Sequence, residues 1–169
     1  MLFIMRGTRC SGKDTFAHQH FLNHCHILSS DNFREMLLGD ISNQKQNKRV
    51  LDFMHSVLEE RFINRVNWTV LNSTNLRIKD CREPIELCKK YSVPFTFLSI
   101  RPPSIEVLNQ RNYWRYVETG VKIPGEVIEK HHNRYFASVE PFLQEARYNP
   151  LCTWIELSQD YEVLSHVSN

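Results

Sequence analysis

Leu2-Phe3-Ile4-Met5-Arg6-Gly7-Thr8-Arg9-Cys10-Ser11-Gly12-Lys13-Asp14-Thr15-Phe16 is the stretch whose reading decides the fold of this chain. Its apolar run is far too short to span a membrane and has the length of a buried strand. At Gly7 the run gives way to a loop that carries a second glycine at Gly12 and a lysine directly after it, and helix-like sequence begins near Phe16. Gly-x-x-x-x-Gly-Lys between a strand and a helix lets consecutive backbone N–H groups wrap phosphates. The helix N-terminus stands behind them, and the lysine reaches the β/γ oxygens of a nucleotide. Glycine suits such a loop because the chain turns sharply and approaches its ligand closely. The expected phosphate-binding set is Gly7, Ser11, Gly12, Lys13, Asp14 and Thr15.

One position departs from the pattern. Asp14 stands where a Ser or Thr hydroxyl normally contacts Mg²⁺. A carboxylate is a harder and stronger ligand for that ion, but it adds negative charge beside a polyphosphate and sits next to Lys13. Asp14 is the expected metal residue, with direct binding, binding through water and pairing with a lysine all open. Thr15 retains a hydroxyl, aimed from a different angle.

Working outward, further apolar runs read as buried strands at His26 to Leu28, Trp68 to Leu71, Phe95 to Ile100 and Cys152 to Leu157, the last as an edge strand. Gln44 to Val66 has helical periodicity, with Val50, Met54, Val57, Leu58, Phe62 and Val66 on one face, and Ile78 to Tyr91 is a second helix. Strands alternating with helices predict an α/β fold with a central parallel sheet flanked by helices, whose ligands bind at the carboxyl ends of the strands. With no repeat or linker in its 169 residues, the chain is expected to be a single domain, 1–169.

The composition, 41% apolar and 24% charged, lacks any membrane-spanning run, so no membrane partner and a cytoplasmic location are expected. Five scattered cysteines without a C-x-x-C pair suit a reduced compartment, as small buried hydrophobes. His18, His20, His24 and His26 do not converge on a metal when placed on a helix and the following strand. The net charge of +2 excludes indiscriminate coating of DNA but not a local basic groove.

The second strand ends in Leu28-Ser29-Ser30-Asp31-Asn32-Phe33-Arg34. Ser30 or Asp31 suits a helix N-cap, and Asp31 and Arg34, three apart, project from one face. Asp31, beside the phosphate loop, is placed to accept the proton of a hydroxyl presented to a γ-phosphate, and Arg34 to hold a phosphate of the acceptor. The plainer alternative is a capping Asp with an exposed Arg.

GxxxxGK, then S-S-D-x-x-R, then T-N after a third strand (Val70-Leu71-Asn72-Ser73-Thr74-Asn75), then an Arg-rich segment together resemble the polynucleotide 5′-kinase domain of bacterial and phage end-healing enzymes. The resemblance covers roughly residues 2–136. It implies a P-loop phosphotransferase using ATP and Mg²⁺, with Lys13 on phosphate, Asp31 as general base, and Arg34 and Asn75 on the acceptor. Arg111 and Arg115, in Gln110-Arg111-Asn112-Tyr113-Trp114-Arg115, would be catalytic residues of a lid over the ATP phosphates, at approximately 111–134. Asn72 stands where many relatives have a strand-end Asp, so a carboxylate lost there and gained at Asp14 is a candidate compensating exchange.

Arg111 and Arg115, four apart, put two guanidinium groups on one helical face, a spacing that a salt-bridged solvent face also produces. Gly120 and Ile123-Pro124-Gly125 separate that helix from the next, Glu126 to Phe136, as a movable lid requires. Asn112, Tyr113 and Trp114 are candidates for stacking on a base, or for core. The expected acceptor is a hydroxyl on nucleic acid, DNA ahead of RNA. It is either a 5′-OH end or the hydroxymethyl group of a modified pyrimidine such as 5-hydroxymethyluracil in phage DNA, which has to be flipped into the site. The alternatives are a small-molecule nucleoside or nucleotide kinase, and a nucleotide-binding module with little catalysis.

Overall fold

Each of the five apolar runs forms a strand. The computed structural model describes residues 1–22 and 26–169. In it β1 (Leu2–Arg6), β2 (His26–Ser29), β3 (Thr69–Asn72), β4 (Phe95–Ile100) and β5 (Cys152–Leu157) are parallel, in the order β2-β3-β1-β4-β5. A sixth strand, β6 (Val163–Ser168), adds antiparallel to β5. Cys152 to Leu157 is therefore an interior strand, not the expected edge. β6 escaped notice because its burial alternates between exposed and half-exposed, so Val163-Leu164-Ser165-His166-Val167-Ser168 lacks a buried apolar run.

Among the described residues, seven α-helices flank the sheet: α1 (Lys13–Phe21), α2 (Ser30–Leu38), α3 (Asn47–Ile63), α4 (Arg82–Tyr91), α5 (Ile105–Thr119), α6 (Gly125–Ala137) and α7 (Glu140–Tyr148), with a 3₁₀ turn at Ile78–Cys81 leading into α4. None of the described helices is long and apolar enough to cross a membrane.

The period-two alternation of β1 sends Leu2 and Ile4 to one face, where they join Val50, Met54, Leu58, Ile85, Phe142 and Trp154. Met5 goes to the other face, with Phe16 of α1, Leu98 and Ile100. Each such fully buried side chain contributes about 1.5–3 kcal/mol. The cysteines Cys81, Cys88 and Cys152 sit in the first cluster, and burial pushes their thiols up, Cys88 to about 12, so they pack as small hydrophobes. Cys25 and His24 lie outside the described residues, and no group of three metal-ligating side chains occurs among the described ones.

β1 pairs with β3 on one side and β4 on the other, so the crossovers diverge at its carboxyl end. That switch point is where an open α/β sheet leaves a crevice. Helices α5 and α6 form a separate layer around a small core of Leu108, Ile123 and Ile128. Asn112, a base-stacking candidate, belongs to that layer: its Nδ2 donates to the Ile123 carbonyl at 2.8 Å and its Oδ1 accepts from the Ile123 N–H at 3.1 Å. A side chain that must satisfy a buried backbone on both sides is not free for a ligand. Tyr113 and Trp114, on the outer side of α5, are exposed.

The far end of α6 is fastened to the sheet by Arg6, which has no exposed surface. Its guanidinium carbon lies 4.0 Å from the Tyr135 ring centroid, and its nitrogens donate to Ser99 Oγ at 3.1 Å, the Tyr135 carbonyl at 2.6 Å and Ser138 Oγ at 3.2 Å. Ser138 in turn donates to the Leu76 carbonyl. Burying a guanidinium is tolerated only with such partners.

Candidate active site

The loop after β1 is shaped by one contact within itself and one to the segment after β3. Ser11 Oγ donates to the Thr8 carbonyl at 2.9 Å, and the Gly7 N–H donates to Thr74 O at 3.1 Å. A Cβ on Gly7 would lie 2.8 Å from Ser11 Oγ, so this position has no room for a side chain. Gly12 has φ +92°, a left-handed conformation that favours glycine, and its carbonyl accepts the first helical N–H, from Phe16, at 2.9 Å. Thr15, expected on phosphate, is exposed on α1 and is not among the residues lining the cleft.

A cleft of about 1010 Å³ opens at this loop. Lys13, Asp14, Asp31, Arg34, Asn75 and Arg115 all line it, so six of the sequence-derived candidates from four separate segments converge on one space. Lys13 is buried, and its Nζ lies 3.2 Å from Asp14 Oδ1. The same oxygen accepts from Asn72 Nδ2 at 2.7 Å. The surrounding walls weaken the hydration of Asp14, but the Lys13 charge and the hydrogen bonds from Asn72 and Lys13, with Arg115 beyond, outweigh that and hold its carboxyl below the usual range. Asp14 and Asn72, the two departures from the family pattern, thus touch each other. Asn72 is 4% exposed and its Oδ1 is shielded and without a partner. A carboxylate beside an orphaned amide oxygen is an all-oxygen donor pair, the chemistry a hard divalent cation prefers, so these residues fit Mg²⁺.

Asp31 lies in the first turn of α2, whose N-cap is Ser29 and not Ser30 or Asp31. Arg34 is not the exposed residue of the plainer alternative: it is 3% exposed. Its Nη1 donates to Asp31 Oδ1 at 2.5 Å and its Nη2 to Asn47 Oδ1 at 2.8 Å, while its Nε is shielded and without a partner. Arg34 therefore orients the carboxylate of Asp31 at one oxygen. Asn75, with a left-handed φ of 45°, spends its amide on the Met5 carbonyl at 2.8 Å and so closes the end of β1.

From α5, Arg111 Nη1 donates to the Cys10 carbonyl at 3.3 Å and to Gln159 Oε1 at 2.8 Å. Gln159, in the turn between β5 and β6, donates to Ser11 O at 3.2 Å and to Arg101 O. It bridges the phosphate loop, the residue after β4 and α5. Sequence reasoning missed it. Its signal was position, a polar turn directly after a strand at the same sheet end. Arg115 pairs with the Cys10 thiol, which burial nonetheless pushes up. Arg9, His131 and Arg134 also line the cleft and were not among the expected site residues.

The match to a protein family covers residues 2–142 and is to an AAA domain. The chain belongs to the AAA domain family. Its fold is that of the P-loop kinases, with a six-stranded, mostly parallel sheet. Among solved structures, this AAA domain is similar to a chain of the Pnkp1/Rnl/Hen1 RNA repair complex, at 25% identity and TM-score 0.72, over 83% of this chain and 45% of that one. It spans less than half the length of that relative. It is also similar to a putative kinase from Chloroflexus aurantiacus j-10-fl, at 21% identity and TM-score 0.60, over 79% of this chain and 78% of that one. A gluconokinase from Sinorhizobium meliloti 1021 matches at 15% identity and TM-score 0.51, over 91% of this chain and 81% of that one. The last two likenesses concern the fold alone.

Proposed function

We propose that this protein is an ATP-dependent phosphotransferase that moves the γ-phosphate to a hydroxyl on nucleic acid, a 5′-OH end or the hydroxymethyl group of a modified pyrimidine. The observation that carries the reading is the joint placement of Lys13 and of Asp31, oriented by Arg34, on the walls of one cleft. The likeness to a chain of an RNA repair complex supports a nucleic-acid acceptor and puts RNA on an equal footing with DNA.

The residues divide the work by position. Lys13 and N–H groups of the loop after Gly7 bind and orient the polyphosphate, and Arg111 and Arg115 bring further positive charge from the lid. Asp14 and Asn72 would hold Mg²⁺, which supplies neutralisation of charge on the phosphate oxygens. Asp31 keeps its second carboxylate oxygen clear of Arg34 and accepts the proton of the acceptor hydroxyl there. Arg34 acts through Asp31 as a positioning residue.

A small-molecule kinase is the second reading. It is favoured by the mixed charge of the cleft lining, which includes Lys48, Lys79 and Arg82 together with Asp52, Glu83 and Glu86. Transfer of label from [γ-³²P]ATP to 5′-OH oligodeoxynucleotides, 5′-OH oligoribonucleotides, hydroxymethyluracil-containing DNA, nucleosides and gluconate separates the readings. Label on a nucleic acid, lost in Lys13→Ala and reduced about 10²–10⁴-fold in Asp31→Ala, is the expected result. Label only on a small molecule overturns the nucleic-acid assignment. ATP binding without transfer to any acceptor reduces the protein to a nucleotide-binding module.

A further inference from the structure

His131 has no role in the reading above, although it faces the same cleft. Along α6, Val127, His131 and Arg134 recur at spacings of four and three and form one stripe on the cleft wall. Nδ1 of His131 is shielded from solvent and has no hydrogen-bond partner. A shielded ring nitrogen without a partner is a costly arrangement unless a ligand completes it.

The groups facing the ring are nearly all positive. Arg9 comes from the phosphate loop, Lys13 from the start of α1, and Lys130 and Arg134 from its own helix. Arg115 of α5 and Asp14 line the same cleft. The neighbouring His132, by contrast, interacts with Glu106. Burial, with Arg9, Arg134, Lys130 and Lys13 adding to it, holds the His131 imidazolium down at about 4, so the ring is neutral at physiological pH. Four cations around one neutral imidazole make a place where a polyanion changes the balance most. A phosphate oxygen there neutralises the charges that oppose protonation and supplies an acceptor for the new N–H.

We propose that His131 is a phosphate-contacting residue of the lid, and that it takes a proton from solvent as a polyphosphate enters the cleft beside Arg9 and Arg134. This rests on the nucleotide-binding reading of the loop but not on any acceptor. The imidazole N–H donates to a phosphate oxygen, and no other bond is made or broken. Because the ligand-bound form holds the proton more tightly, nucleotide affinity rises as pH is lowered from 8 to 5.5.

The test is a titration of the histidine Cε1–H resonances by ¹H–¹³C NMR, with and without the Mg²⁺ complex of the non-hydrolysable ATP analogue AMP-PNP. The His131 signal is assigned by its loss in His131→Asn. Without nucleotide it stays at its neutral position from pH 5.5 to 8. With saturating nucleotide its midpoint rises by at least about two units, into the titrated range, within the roughly 1–3 units an opposite charge at 4–6 Å produces. In parallel, His131→Gln binds the analogue several-fold more weakly than wild type at pH 5.5 and equally at pH 8. A midpoint unmoved by saturating nucleotide overturns the proposal while leaving the phosphate loop intact, and so does equal affinity of His131→Gln and wild type at both pH values. Failure of the wild-type chain to bind the analogue at all overturns the nucleotide-binding reading itself, and His131 with it.

Discussion

Asp14→Asn tests the metal site by sign as well as by size. In the chain as it stands, Asp14 Oδ1 lies 3.2 Å from Lys13 Nζ and 2.7 Å from Asn72 Nδ2. The substitution keeps the shape and removes one charge, so Lys13 is left uncompensated. Two unit charges at about 4 Å interact by about 1 kcal/mol in water and about 4 kcal/mol near a protein surface. The Asp14 side chain keeps 67% of its surface, so solvent screening selects the lower figure. Metal-free ATP should then bind about 1 kcal/mol more tightly, close to fivefold. With Mg²⁺ the same variant lacks its carboxylate ligand and should bind at least about tenfold more weakly, the lower bound for disturbing a metal's coordinating partners. Displacement of a fluorescent ATP analogue, in excess Mg²⁺ and in excess EDTA, reads both arms. Opposite changes in the two conditions are the signature. A change of the same direction in both, or none in either, refutes the assignment of Asp14 to the metal.

The exchange Asp14→Ser with Asn72→Asp moves the carboxylate across a contact of 2.7 Å, and phosphate transfer by the double variant should exceed that of either single one. Equal loss in all three removes the idea of a compensating pair. Arg6→Met removes three hydrogen bonds from a cation with no exposed surface. Part of the loss is recovered as relieved desolvation, so the expected destabilisation is about 2 kcal/mol, a fall in Tm of roughly 4–8 °C. Hydrogen exchange should rise first at Ala137 and Ser138, and an unchanged Tm speaks against Arg6 as the fastening of α6.

The parallel strands were legible because a strand buried on both faces must be apolar along its whole length, and Phe95 to Ile100 is buried at every position. The phosphate loop was legible because its demands on the backbone leave glycines in fixed places. β6 was not, since a strand at the sheet margin needs apolar residues on only part of its surface. The Asn112 amide and the Gln159 bridge were hidden for another reason. Both act on backbone groups brought near only by the tertiary fold, across 11 residues in one case and 148 in the other. The spacing of three put Arg34 on the same helical face as Asp31, but spacing alone did not reveal that its guanidinium closes on Asp31.

The pairing of Lys13 with Asp14, of Arg34 with Asp31 and of Arg111 with Gln159 gives three cations around the phosphate loop an internal acceptor. A ligand must therefore enter by exchange, displacing these acceptors or sharing their cations. An isolated small anion such as inorganic phosphate, reaching one cation at a time, gains little over the partner it displaces. A polyphosphate engages several cations together, so discrimination by ligand length follows from the internal pairs themselves. The same pairs soften the field around the cleft, so encounter with nucleotide should be guided by shape more than by long-range attraction, and its rate should depend only weakly on salt.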